Sequence, residues 1–453
     1  MFGDTLAGGF DGPLRSDARR ERPNLVYLHT HDTGRWLSPY GHAVPTPQVQ
    51  RLAEAGVTFT RAFAAAPTCS PSRAALLTGE SPHASGMMGL AHRGWRLRRP
   101  ARHLAHVLAA AGYHTALAGV QHLGPDPRVL GYRETLGADD HADMVAGAAE
   151  RFLARPPARP FFLDVGFVET HLLPPGRSPY GPSPFGHPPG DPRYVRVPPP
   201  LPDAPATRQD VADFGVAVAA ADAAVGRVLA ALDRARLAER TVVLLTTDHG
   251  PPLPGLKGTL SDHGLGVALL LRGPGVPAGE SVTPLVSHLD VLPTLCELLG
   301  VRAPGWLEGR SLVPALRGDP FPEPGAVFGE TTHHVAYEPG RTLRTERFRY
   351  VRRFGPRRAR VPSNTDDSPS KDLLVASGWL AHDPPHEALY DLMFDPAETH
   401  NVAAEARYRD VLADLRGRLS AWMERTADPL LTGDVPVPPG TRARDPDALS
   451  PSE

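Results

Sequence analysis

Asn24-Leu25-Val26-Tyr27-Leu28 is a short apolar run, followed at once by His29-Thr30-His31-Asp32. An uninterrupted apolar run of this length, closed by polar residues, is the pattern of a strand covered on both faces. Working outward, the pattern returns at Thr115-Ala116-Leu117-Ala118, at Phe161 to Phe167, at Thr241 to Leu245 and at Val267 to Leu271. Helical patterns lie between these runs: Val49 to Gly56, a helix opening near Arg73, His103 to Ala111, Asp210 to Ala238 and Asp290 to Leu299. Gly56 and Gly112 stand where two of these helices end, a place that favours glycine. Strands alternating with helices predict an α/β sheet with both faces covered.

The chain has 453 residues, too many for one simple core, so a large domain with a smaller companion is expected. The character changes near residue 325. Ala326 to Glu330 and Phe348 to Val351 are short and strand-like, Val361 to Asp372 looks like an irregular loop, and Arg407 to Thr426 is amphipathic and helical. The expected division is a disordered lead at 1–22, a catalytic domain at 23–325, a smaller α+β subdomain at 326–435 and a disordered tail at 436–453. The 52 prolines cluster in runs such as Pro174-Pro175 and Pro198-Pro199-Pro200, which mark loops. A loop as long as 174–207 inside a compact domain is usually functional, and its place after His171 predicts that it lines a pocket.

The charge balance excludes some partners. With 48 basic and 50 acidic residues the net charge is −2, so neither nucleic acid nor an anionic membrane is an expected partner. No apolar run reaches the roughly 18–20 residues of a membrane span. The first residues, Met1-Phe2-Gly3-Asp4-Thr5, lead into a charged stretch with no apolar signal region, so a cytoplasmic protein is expected. Two cysteines, Cys69 and Cys296, allow no disulfide framework.

Three polar clusters carry the chemistry. His31-Asp32 follows the first strand and Asp248-His249-Gly250 follows the fourth, and open α/β sheets bind ligands at such strand ends. A carboxylate and an imidazole from each could share one metal ion, although either pair alone is as often just a polar loop. The third cluster, Cys69-Ser70-Pro71-Ser72-Arg73, opens the helix that continues Ala74-Ala75-Leu76-Leu77-Thr78-Gly79. A helix N-terminus favours an anion, whether a thiolate or a bound oxyanion. A lone cysteine is more often a buried structural residue, and Cys296 in its apolar helix reads that way; the Ser, Pro and Arg around Cys69 point elsewhere. Single histidines near strand ends, such as His122 and His171, are more often structural than catalytic.

Cys-x-Pro-x-Arg followed by Leu-Leu-Thr-Gly resembles the signature of the type I sulfatases, whose cysteine is converted to formylglycine. The resemblance runs from Pro23 to Gly433 and includes Thr46-Pro47, Phe59-Thr60-Arg61-Ala62-Phe63, Pro82-His83, Gly86-Met87-Met88-Gly89-Leu90 and Leu389-Tyr390-Asp391-Leu392 with Asp395-Pro396-Ala397-Glu398. Cys-Ser-Pro-Ser-Arg-Ala and Gly-Met-x-Gly-Leu look closest to the heparan N-sulfatase (sulfamidase) branch. The resemblance implies an alkaline-phosphatase-like fold, with a large mixed sheet between helices. It implies hydrolysis of sulfate esters or sulfamates on a sulfated small molecule or sugar, and activation by a formylglycine-generating enzyme.

Residue by residue, the resemblance implies a divalent metal held by His31, Asp32, Cys69, Asp248 and His249, with calcium the expected ion. Cys69, as formylglycine, is the implied nucleophile, supported by Arg73. His122 matches the histidine of Gly-Lys-x-His, His171 the histidine that contacts sulfate, and Lys257 the late sulfate-binding lysine. Two positions depart from the family. His31 stands where an aspartate is usual, which suits a softer ion better than calcium. Val120 stands where the family has lysine, which removes one positive charge. Alternative readings are a phosphodiesterase or phosphonate monoester hydrolase of the same fold, and a weakly active binding protein on this scaffold. His29, His83, His92 and His263 are not expected to be catalytic, His92-Arg93 is expected to help shape the pocket, and Arg352 to Arg360 reads as a solvated basic loop.

Overall fold

A computed structural model describes residues 22–137, 141–172, 187–321 and 325–452. The lead at 1–22 therefore lies outside the described residues, apart from Arg22. The principal sheet has eight strands in the order Glu280–Val282, Val57–Phe59, Leu269–Arg272, Thr241–Thr247, Asn24–Thr30, Phe161–Phe167, His114–Gly119 and Glu134–Thr135. Asn24–Thr30 lies at its centre, parallel to both neighbours. Leu269–Arg272 runs antiparallel to both of its own, which makes the sheet mixed. The apolar run predicted at Val267 to Leu271 is broken: Gly266–Val267 turns away to join a small sheet with Ala62–Phe63 and Val286–Ser287.

Both faces of the sheet are covered, and the alternation along the first strand shows how. Val26 and Leu28 enter one core, with the helices Pro47–Glu54, Ala142–Ala154 and Pro205–Arg234. Leu25 and Tyr27 enter the other, with the helices Cys69–Thr78, Leu104–Ala110 and Val291–Leu298. A strand with two buried faces cannot show polar alternation, which is why these runs read as continuously apolar. The helix Pro205–Arg234 corrects the expectation that no segment is long and apolar enough to cross a membrane: by length and composition it is. More than half of its apolar window is buried within the protein, and its Asp222 accepts the free N–H groups of Gln48 and Val49 at the start of a neighbouring helix.

Residues 325–435 form an antiparallel four-stranded sheet, Val327–His333, Tyr337–Arg344, Phe348–Arg353 and Glu387–Asp391, packed on the helix Arg409–Arg425. The region read as an irregular loop at Val361 to Asp372 contains a short turn at Pro362–Asn364 and the start of a helix, Pro369–Ala376, capped by Ser368. The subdomain is tied to the main body by backbone bonds from Glu330 N to Ala65 O and from His333 N to Met88 O. Residues 436–452 have no helix or strand, but they are not the loose tail expected: they lie against Arg93, Val335, Arg357 and Lys371.

A buried charge network joins the two units. Arg341 pairs with Asp428 and Glu330, and Glu330 receives His83 Nδ1 at 2.5 Å. Burial works against the charged form of His83, but Glu330 outweighs it and raises the pKa above its ordinary value. Stability from this pair is therefore complete below pH about 6.5 and lost as pH rises through the folded-state value. His83→Gln is expected to destabilise the protein by about 1–3 kcal/mol at pH 6. The Tm difference from the unsubstituted protein should narrow at pH 9; thermal melts at the two pH values check this.

Candidate active site

The register of the central strands brings the polar clusters together. Thr30 is level with Thr247 on one side and Phe167 on the other, and Gly119 is level with Gly166. Four parallel strands thus end at one edge of the sheet. The segments leaving that edge carry His31 and Asp32, Asp248 and His249, His171, and His122. The strands approach closely there: a Cβ on Gly166 would stand 2.0 Å from Val120 O. Asp32 and His122 both have left-handed backbones, with φ of 46° and 58°, a conformation that costs energy outside glycine and clusters at functional sites.

The helix Cys69–Thr78 points its N-terminus into this edge and is buried along its whole length. A buried helix whose first turn is Cys-Ser-Pro-Ser-Arg is not built for packing alone. Cys69 Sγ lies 3.3 Å from His249 Nε2 and 3.9 Å from Asp32 Oδ1. Burial alone would raise the thiol pKa, yet Lys257 and His249 hold it well below its ordinary value. The same balance operates on Asp32 and Asp248. Burial opposes their charge, but Lys257 holds Asp32 well below the usual carboxylate range, and His249 with Arg73 lowers Asp248.

All the sequence-predicted metal ligands converge. Asp32, Cys69, Asp248 and His249 offer ligand atoms within 4.8 Å of one another, and His31, Asp32, Cys69 and His171 form a second such set sharing two members. His31 is buried and neither ring nitrogen has a hydrogen-bond partner. Its Nδ1 is 3.3 Å from Asp248 Oδ2, an approach without hydrogen-bond geometry. A buried imidazole with both nitrogens free, beside two ionised carboxylates, fits a cation.

Arg73 Nη2 is 3.0 Å from Asp248 Oδ2, and Nη1 meets His29 Nδ1 at 2.5 Å. Guanidinium can only donate, so His29 Nδ1 accepts and its proton sits on Nε2, which donates to Asp164 Oδ1 at 2.9 Å. Asp164 is held in turn by the Tyr132 hydroxyl. His29 therefore positions Arg73 and does not face the cavity, in keeping with its exclusion from the catalytic set.

Cys69, His122, His171 and Lys257 line one cavity of about 150 Å³. Lys257 Nζ bridges Asp32 Oδ2 at 2.7 Å and Asp366 Oδ2 at 2.8 Å. His122 Nε2 is 3.1 Å from His92 Nδ1, with the two rings stacked. His92 and Arg93 both line the cavity, as their sequence position suggested. Among the described residues of the proline-rich stretch 174–207, none belongs to the cavity wall; 174–186 lie outside the description. Sequence reasoning missed Asp366, His334, Pro451 and Ser452, which also form the wall. The Asp366-Asp367 pair in the presumed loop was the one available signal.

Carboxylates, imidazoles and cations thus gather around a helix N-terminal cysteine, at the carboxyl edge of a sheet sandwiched between helices. The Sulfatase family model matches residues 23–301. Human N-sulphoglucosamine sulphohydrolase is 32% identical, with 90% of this chain and 92% of that one covered. Among solved structures, a 2-O GAG sulfatase superposes with a TM-score of 0.72 at 22% identity, covering 92% of this chain and 96% of that one. A phosphonate monoester hydrolase of Agrobacterium radiobacter gives 0.68 at 24% identity, covering 92% and 100%. The chain belongs to the sulfatase family and is a sulfuric ester hydrolase.

Proposed function

We propose that the chain hydrolyses sulfate esters or sulfamates of small sugars, using a formylglycine made from Cys69 beside a divalent metal ion. The observation that carries this is the position of Cys69 Sγ, common to both ligand sets and to the wall of the cavity. Cys69 is the residue that would carry the aldehyde, whose hydrate would supply two hydroxyls at this position: one to displace the alcohol or amine from sulfur, the other to release sulfate and restore the aldehyde. His31, Asp32, Cys69, Asp248 and His249 would hold the ion, calcium as proposed, which would supply positive charge beside the nucleophile.

The chain's own residues do the rest. Arg73, fixed by His29 and Asp248, presents a guanidinium to the nucleophilic position. Lys257 offsets the charge on the oxygens of the transferring group from the cavity wall, while His122, kept uncharged by burial, offers them a hydrogen bond. His171 directs Nδ1 to Leu172 O at 2.5 Å, which leaves Nε2 toward the cavity. Burial and Lys257 work against its protonation, but Asp32 and Cys69 outweigh them and push its pKa to about 8. That value belongs to the ion-free protein with Cys69 as a thiol; in the proposed reaction His171 Nε2 is the proton donor to the leaving group. Val120 leaves no lysine beside His122; Arg93, a further cation of the wall, is the proposed replacement for that charge.

The peptide Ala62–Arg73, from protein made alongside a formylglycine-generating enzyme, should have the mass of the aldehyde or its hydrate. Matched aryl sulfate and aryl phosphate esters should then be turned over with sulfate preferred. A preference for phosphate by several orders of magnitude would move the assignment to phosphonate or phosphodiester chemistry. No turnover of either, with the aldehyde present, would leave a binding protein.

A further inference from the structure

We propose that residues 449–452 form a wall of the substrate cavity and set the size of the molecule it admits, an inference that takes the sulfated nature of that molecule from the reading above. From Gly440 onward the chain follows the rim of the site. Arg442 N donates to Arg93 O at 2.7 Å and Arg444 N to Val335 O at 2.9 Å, and Arg93 and Val335 are themselves cavity residues. Asp447 pairs with Arg357 at 2.6 Å. Lys371 Nζ then donates to Leu449 O at 2.6 Å, Ser450 Oγ to Asp367 Oδ2 at 2.5 Å, and Arg93 Nη2 to Pro451 O at 2.8 Å. These three bonds hold Pro451 and Ser452 in the cavity wall, on the same cavity as Cys69 and Lys257.

The way the segment is held matters as much as where it lies. Leu449 is 51% exposed, so polar contacts rather than apolar burial fix these residues. Segments with few buried apolar contacts belong to the low-stability end of a structure. The wall can therefore be removed without emptying a core. With it in place, a cavity of about 150 Å³ falls below the ~300 Å³ at which pockets for whole small ligands begin. Such a cavity takes the sulfated end of a molecule and refuses a sulfate in the middle of a polysaccharide.

The test needs no catalysis. In protein carrying the unmodified thiol, Cys69 is alkylated in parallel with iodoacetamide and with fluorescein maleimide; Cys296 is fully buried and is replaced by alanine as a control. The intact chain should favour the small reagent strongly. Deleting residues from 446 onward should raise the large-to-small rate ratio by about tenfold or more. Asp447→Arg, which repels Arg357 outside the cavity and keeps the chain length, should raise it by a smaller factor. An unchanged ratio in the deletion, with the fold intact by circular dichroism, overturns the proposal. With formylglycine installed, the deletion should also gain activity on internally sulfated oligosaccharides relative to a small aryl sulfate. A shift in labelling without turnover of any sulfate ester would keep the wall and remove the sulfatase reading.

Discussion

Cys69→Ala is expected to lower turnover of a sulfate ester by about 10³–10⁶-fold, the range seen when a nucleophile is deleted from a site whose other parts remain. Neighbouring groups are already ordered around the position: His249 at 3.3 Å, Asp32 at 3.9 Å, and Arg73 fixed from behind. Alanine keeps the helix and its packing, so Tm should change little. Cys69→Ser separates two explanations. Serine keeps one hydroxyl in place but has no second one through which to expel the sulfate. It should give a burst of at most one product per site and then stop. Steady turnover by the serine variant would show that a single hydroxyl suffices, and the formylglycine reading would fall. Rapid-quench kinetics with an aryl sulfate reads the difference directly.

Treatment with a chelator is expected to abolish activity and to lower Tm, with both restored by a divalent ion. Asp32 and Asp248 are ionised and almost wholly buried, and His31 has no other partner for its ring nitrogens. In the ion-free protein His249 offsets part of the negative charge. Burial opposes its protonation, but Asp248 and Asp32 raise its pKa well above the ordinary value. A cation would take over that role. Ligand binding to the folded state stabilises it by about 2.7 kcal/mol at a hundredfold excess over Kd, so a titration of Tm against each ion reads affinity without any substrate. His31→Asp adds a third hard oxygen donor and is expected to tighten calcium by about tenfold relative to zinc, because calcium prefers carboxylate to imidazole. No response of Tm to chelator or to any divalent ion would remove the metal from the proposal.

The sequence was legible where one physical cause dominates. The central strands showed themselves because burial on both faces demands unbroken apolar runs, and the predicted Phe161–Phe167 matches the observed strand residue for residue. Val57–Phe59 and Glu134–Thr135 did not, since strands of two or three residues carry too little pattern to separate from a loop. Tyr337–Arg344 contains Pro339 and Gly340 and so looks like a turn, yet from Gly340 to Arg344 it pairs with a neighbour on each side. In the site, the motif residues were readable because their chemistry is local. Asp366 was not, because only tertiary contact brings it to Lys257 from a subdomain more than a hundred positions away. His29 was set apart from the reacting groups on its sequence alone, but its tautomer and its hold on Arg73 exist only in three dimensions.

The level ends of the central strands have a consequence for how the molecule breathes. Thr30, Thr247, Phe167 and Gly119 terminate ladders whose amides lie deep between two cores, whereas the rim from Gly440 to Ser452 is stitched down by side-chain contacts and a few isolated backbone bonds. Hydrogen exchange should therefore fall into two populations a short distance apart, with ladder amides exchanging only on global unfolding and rim amides exchanging through small, frequent openings. The reacting position sits at the boundary between them. The expected pattern is a fixed floor under an entrance that opens, which would let guests come and go without disturbing the alignment of the groups that act on them.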